Sequence, residues 1–345
     1  MTPRLYSTTE KAWDGMLSAI KGAKSSIYWE GYIFMTDTNP VHNFIDALSE
    51  KARCGVEVII LIDAFGSSAF PQEVVYKLKE AGAEILFAAK WFRRIHRKIL
   101  IVDESSAFVG SANIGNIYRK WLDLLIEVSG PIVASLVRSF AKSYKFCGGE
   151  NVKLLDHIKK TSKYHLQNIG FIEHFPKHGV TPFQAHYVKK IRQAQKSIVI
   201  VSPYFIPHRW LIREFHLAVN RGVSISIILP IKGDSVFMDF ANYLFADTLQ
   251  EPLIQFYLIP VIVHAKALLI DESEGLVGSQ NIDGLSFNYN VEAGIYFREK
   301  GVVDDLSKIL EEWKSMATNF NEIGFKKKWY HYILEPIIWI LQPVI

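Results

Sequence analysis

A chain of 345 residues is long enough for two domains, and 49% apolar with 21% charged residues is ordinary globular usage that excludes a disordered or fibrous chain. A formal charge of +4 and a pI of 8.8 suit a polyanionic partner, phospholipid or nucleic acid, without choosing between them. Cys54 and Cys147 are the only cysteines, which excludes a disulfide framework and a cysteine-based zinc site and points to a reducing compartment.

In chain order, the first residues carry no apolar stretch of signal-peptide length, so secretion by the ordinary route is not expected. Residues 9–23 have helical spacing and lead into the apolar run Ser26 to Phe34; residues 41–53 are again helical and lead into Val56 to Ile62. The runs are short, rich in β-branched residues and flanked by Gly, Asp and Pro, as strands covered by helices on both faces are. The order then repeats. Ile20–Ile27 answers to Ile191–Ile198, an offset of 191 − 20 = 171; Gly55 answers to Gly222, and His96–Asp103 to His264–Asp271, offsets of 167 and 168. Colinear matches at nearly constant offset predict an α/β chain of two similar α/β/α sandwich halves related by pseudo-twofold symmetry. The first half covers residues 1–150, a linker and entry to the second half 151–184, the second half 185–325, and a basic, aromatic and apolar tail 326–345.

The chemistry repeats with the fold. His96, Lys98 and Asp103 precede Gly110-Ser111-Ala112-Asn113, and His264, Lys266 and Asp271 precede Gly278-Ser279-Gln280-Asn281. Strand alternation puts each His on the same side as its Lys, a base beside a cation. Asp103 and Asp271, counted in the catalytic set as motif members, have the opposite parity and stand before a turn, where a carboxylate first caps backbone. Ser111 with Asn113, and Ser279 with Asn281, offer hydroxyl and amide donors suited to phosphate oxygens.

If the halves meet across the pseudo-twofold axis, one neutral imidazole attacks phosphorus while the other, protonated, releases the departing alcohol. Lys98 and Lys266 then neutralise the equatorial oxygens. Such a histidine needs a carboxylate on its far nitrogen. Asp123, 27 residues after His96, and Glu292, 28 after His264, occupy nearly equivalent positions and are assigned as the orienting pair. There is no nucleotide-binding glycine loop and no His-Glu-x-x-His, so neither a cofactor nor a metal is expected.

HRKILIVDESSAFVGSAN and HAKALLIDESEGLVGSQN are two full copies of a pattern that resembles the phospholipase D superfamily, HxKxxxxD followed by GSxN. The segments IKGAKSSIYWEGYIF, SPYFIPHRWLIREFHLAVNRGVSISIILP and FNYNVEA, with Asp234, look most like bacterial cardiolipin synthases. The resemblance implies a phosphatidyltransferase that joins phosphatidylglycerol to a phospholipid donor through a phosphohistidine, with His96 as nucleophile and His264 as general acid. A phospholipase D hydrolase and a nuclease are the alternatives. Nucleic acid is not the expected substrate, because no basic stripe interleaved with aromatics marks a strand-binding groove.

No run of about 20 apolar residues offers a spanning helix. Three lysines, then aromatics and branched aliphatics in the tail have the composition of a segment lying in a headgroup layer, with Pro336 and Pro343 expected to break a clean helix. The expected setting is peripheral, on an anionic membrane surface at the cytoplasmic face, with phospholipid substrates.

Overall fold

The apolar runs become strands because their two faces are both needed for burial. In the computed structural model, which describes residues 2–89, 94–160, 168–176, 180–325, 327 and 329–345, each half builds its own sheet. The first contains β1 (Arg4–Thr8), β2 (Ser26–Gly31), β3 (Glu57–Asp63), β4 (Glu84–Ala88), β5 (Lys98–Val102), β6 (Ser106–Gly110) and β7 (Leu122–Ser129), in the order β1-β7-β6-β5-β2-β3-β4. The second contains β8 (Ile169–His174), β9 (Ser197–Val201), β10 (Ser224–Pro230), β11 (Ile254–Ile259), β12 (Ala267–Ile270), β13 (Glu274–Gly278), β14 (Glu292–Phe297) and β15 (Thr318–Asn319). Its order, β15-β11-β10-β9-β12-β13-β14-β8, is that of the first sheet with β15 added at one edge. The stretch read as linker therefore already contains β8, which pairs with β14 as β1 pairs with β7; residues 161–167 and 177–179 of that stretch lie outside the described residues.

Helices α1 (Thr9–Gly22), α2 (Phe44–Arg53) and α3 (Gln72–Glu80) cover the outer face of the first sheet. Helix α4 (Ile132–Phe146) packs centrally, followed by the short α5 (Val152–Asp156). In the second half α6 (Pro182–Gln193), α7 (Arg209–Val219), α8 (Val236–Leu249) and the short α9 (Gly284–Asn288) join an outer layer, while α10 (Lys300–Ser315) packs centrally. The chain ends with α11 (Phe320–Ile323) and α12 (Trp329–Leu341).

Strand β3 shows the division of labour. Ile59 and Leu61 enter a core shared by both sheets, with Leu136 and Phe140 of α4 and Leu306 and Leu310 of α10. Val58, Ile60 and Ile62 enter the first half's outer core, with Trp13, Phe44 and Leu48. The shared core holds the halves face to face, and each such side chain contributes about 1.5–3 kcal/mol by leaving water. Beneath the first motif, Arg97 and Glu30 form a fully buried ion pair at 2.9 Å, and Ser139 and Ser143 accept further guanidinium protons.

The tail departs from expectation in one respect: α12 runs through Pro336 instead of breaking there. Its inner side packs on the second half through Ile338, 1% exposed, and Trp339, which meets Phe245 at 5.0 Å. Its outer side leaves Trp329 and Ile340 about three-quarters exposed, at 75% and 76%. Of the lysine trio, Lys327 is held by Glu335 at 3.0 Å and Asp247 at 3.2 Å; Lys326 and Lys328 lie outside the described residues. Among the described residues no helix is long and apolar enough to cross a membrane.

Candidate active site

Two short backbone pairings across the halves create the site. Ile95 pairs in parallel with Val291 and Leu122 with Val263, so that His96 N donates to Val291 O at 3.0 Å and His264 N to Leu122 O at 2.8 Å. Each motif histidine is thereby stitched beside the strand that starts the other half's orienting carboxylate. The pairing is crossed: His96 Nδ1 lies 2.9 Å from Glu292 Oε1, and His264 Nδ1 lies 3.2 Å from Asp123 Oδ2. With Nδ1 engaged, Nε2 of each imidazole is the nitrogen left to react in the shared cavity of about 380 Å3 that both line.

The carboxylates are themselves fixed. Ser111 Oγ donates to Asp123 Oδ1, and Ser279 Oγ donates to Glu292 Oε2. Ser286 Oγ donates to Glu292 Oε1 at 3.0 Å, and Thr9 Oγ1 stands 3.5 Å from Asp123 Oδ2. The motif serines are fully buried, so their expected role as phosphate donors is corrected: their protons are spent on the carboxylates. The glycines before them allow this, since a Cβ at Gly110 or Gly278 would strike the backbone oxygen of Leu124 or Ala293 on the next strand. Asn113 and Asn281 do line the cavity, each with a buried amide oxygen that has no partner among the described residues.

Asp103 and Asp271 are also corrected as members of the catalytic set. They sit just past the far ends of β5 and β12, seven residues and so roughly 23 Å of extended chain from the histidines. Each occupies the left-handed region, φ 53° and 51°, at the start of a hairpin turn. The Asp103 carboxylate accepts backbone N–H groups of Lys24, Ser25 and Ser26, and Asp271 those of Gln195, Lys196 and Ser197. They clamp the helix-to-strand turn of each half.

The lysines lie beside the histidines as the parity requires. Lys98 Nζ donates to His96 O at 2.8 Å and Lys266 Nζ to His264 O at 2.5 Å. Burial first, then the neighbouring Lys266, lowers Lys98 to about 7. Burial lowers Lys266 to about 8 against the pull of Asp123. Burial likewise brings His96 down to about 4, although Glu292 opposes it, and keeps His264 below its ordinary value, helped by Lys266. Both carboxylates resist their own burial and stay below the usual range because each faces a histidine. Burial thus favours neutral imidazoles and eases the lysines toward deprotonation, and a bound anion would oppose both effects.

Residues outside the motifs finish the walls. Tyr32 meets His96 edge-on at 4.6 Å, with Lys98 Nζ 5.1 Å from its ring centre, and Trp121 meets His264 at 5.6 Å. Arg94 and Leu285 line the cavity, as do Tyr204 and Asp234, which are joined by a 2.6 Å hydrogen bond. A second, mostly apolar cavity of about 600 Å3 adjoins it, sharing Arg94, Leu285, Asn290 and Val344 and adding Ala64, Phe65 and Ala88. The aromatic Tyr32 was within reach of the sequence, since GYIF and PYFI follow equivalent strands; Trp121 and Arg94 carried no comparable signal.

Residues 16–144 and 187–314 each match the family described as cardiolipin synthase, PLD-like domain. The probable cardiolipin synthase YwiE of Bacillus subtilis is 28% identical over 94% of this chain and 68% of its own length. Cardiolipin synthase A of Pseudomonas putida KT2440 is 28% identical over 90% and 67%, and the cardiolipin synthase of Clostridium perfringens 29% over 89% and 68%. Among solved structures, phosphatidylserine synthase of Haemophilus influenzae shares the fold with a TM-score of 0.76 at 15% identity, covering 99% of this chain and 95% of that one.

Proposed function

The chain belongs to the cardiolipin synthase, PLD-like domain family, and from that premise we propose that it is a phosphatidyltransferase joining phosphatidylglycerol to the phosphatidyl group of a second phospholipid. The observation that carries the reading is the crossed pair of imidazoles, each backed by the other half's carboxylate, both opening on one cavity, and each with a buried lysine bonded to its own carbonyl.

Nε2 of neutral His96 attacks phosphorus, the P–O bond to the donor's headgroup alcohol breaks, and the proton of His264 leaves with that alcohol. Lys98, Lys266, Asn113 and Asn281 offset charge on the phosphoryl oxygens as the transition state forms. Neutral His264 then takes the proton of an incoming lipid hydroxyl, whose oxygen attacks phosphorus and expels His96. The arriving phosphodiester supplies the negative charge that lets His264 hold its proton in a site where burial otherwise removes it.

The chain acts peripherally on an anionic membrane at the cytoplasmic face. Support comes from the exposed apolar side of α12, whose following residues Val344 and Ile345 line the mouth of the cavity. Contact between α12 and a bilayer brings that mouth to its substrate.

The test is to quench the enzyme during turnover on phosphatidylglycerol labelled at phosphorus. Acid-labile, alkali-stable label on the parent and its absence from His96→Ala is expected; label retained by His96→Ala overturns the assignment of the nucleophile.

A further inference from the structure

The cavity has two chemically different ends. Beside His96 it adjoins the apolar cavity walled by Ala64, Phe65 and Leu285. To the same cavity the second half contributes oxygen acceptors: Asp234, whose Oδ1 takes the Tyr204 hydroxyl proton at 2.6 Å, and Asn281, whose Oδ1 is buried with no partner among the described residues. The first half repeats only the amide, through Asn113, and not the carboxylate. The sequence offset brings Gly66 opposite Asp234, and the nearby Asp63 is spent on the N–H groups of Phe65, Gly66 and Ile95.

We infer that Asp234, Tyr204 and Asn281 form a headgroup subsite that reads the adjacent hydroxyls of a polyol, and so determine which alcohol leaves and enters. The inference rests on the phosphatidyltransferase reading and specifies its alcohol. A lipid phosphodiester with its acyl side toward the apolar cavity directs its headgroup toward this wall. A carboxylate accepts two hydrogen bonds from neighbouring hydroxyls, and the orphaned amide oxygen requires a donor. An ammonium headgroup also donates, but it is disfavoured here because Lys266 is close enough to feel Asp234 and Arg94 lines the same cavity. Tyr204, which lines the same cavity, holds the carboxylate in place through its hydroxyl.

The experiment offers the full chain phosphatidylglycerol vesicles with equal concentrations of 1,2-propanediol, 1-propanol and ethanolamine, and reads the ratio of the phosphatidyl products by mass spectrometry. The parent should favour the diol over 1-propanol roughly ten-fold, the scale of a hydrogen bond to a charged acceptor. Asp234→Ala should bring the ratio near one, and Tyr204→Phe should lower it part of the way. A product ratio does not depend on how much of a variant folds. Absent discrimination in the parent, an unchanged ratio in Asp234→Ala, or preference for ethanolamine overturns the subsite while leaving transfer itself in place. No transfer to any acceptor, glycerol and water included, overturns the underlying phosphatidyltransferase reading instead.

Discussion

Replacing Lys98 by methionine should make the substrate-free protein more stable while disabling it. Lys98 is buried, and its ammonium is brought from an ordinary 10.5 down to about 7 by desolvation and Lys266. The folded state therefore binds fewer protons than the unfolded state between those values, so stability contributed at this position rises with pH across that window. Below about pH 7 the native protein carries the full cost of the buried ammonium, about 3.5 pKa units or on the order of 5 kcal/mol. At about pH 9 the residual cost, to deprotonate the group, is on the order of 2 kcal/mol. Methionine fills a similar volume with no charge, but it leaves His96 O without its 2.8 Å donor, which returns about 1 kcal/mol. Urea unfolding of parent and Lys98→Met at about pH 6 and pH 9 should thus show the variant ahead by a few kcal/mol at the lower pH, with the gap shrinking at the higher. Activity should fall about 100-fold or more, the usual result of removing one preorganised donor to a developing oxyanion. A variant less stable than the parent at both pH values, or a gap that does not shrink, refutes the account of the lysine pair.

Other consequences follow from the same geometry. Double-mutant cycles on transfer rate should couple Glu292→Gln with His96→Ala and Asp123→Asn with His264→Ala, each second change adding little to the first; coupling within a half would contradict the crossed arrangement. The phosphate clamp requires protonated lysines, so kcat/KM should decline as pH rises past about 7 to 8, whereas a bound phosphodiester should move the decline in kcat to higher pH. A flat alkaline profile to about pH 10 would argue against it. Arg97→Met strands the fully buried Glu30 and should cost about 3–5 kcal/mol in chemical denaturation, with Glu30→Leu added in the same chain recovering much of the loss.

Much of this molecule was legible in the sequence because duplication exposes it twice. His96 and Lys98 recur at a fixed offset with His264 and Lys266, and a strand's alternation suffices to set each base beside its cation. Asp123 and Glu292 stood out by equivalent spacing, yet equivalence is silent on which histidine each serves. That depends on the Ile95–Val291 and Leu122–Val263 pairings, long-range contacts made only when the halves dock. The serines misled because strand parity names a side of the chain and says nothing of competition: a buried carboxylate one strand away takes the hydroxyl before any phosphate does. Asp103 and Asp271 belong to the motif for the fold, clamping a turn in each half, which their parity anticipated. Pro336 was read as a breaker from its missing N–H, but α12 continues through it while anchored by Ile338 and Trp339.

The central claim is phosphatidyl transfer between lipids, and the most direct measurement follows the products formed when the purified chain meets phosphatidylglycerol vesicles. Mass spectrometry should show cardiolipin and free glycerol appearing together in equal amounts, with added glycerol driving the reaction backward and neither product formed by His96→Ala or His264→Ala. Phosphatidic acid without cardiolipin, or cardiolipin formed undiminished by either histidine variant, would contradict the account.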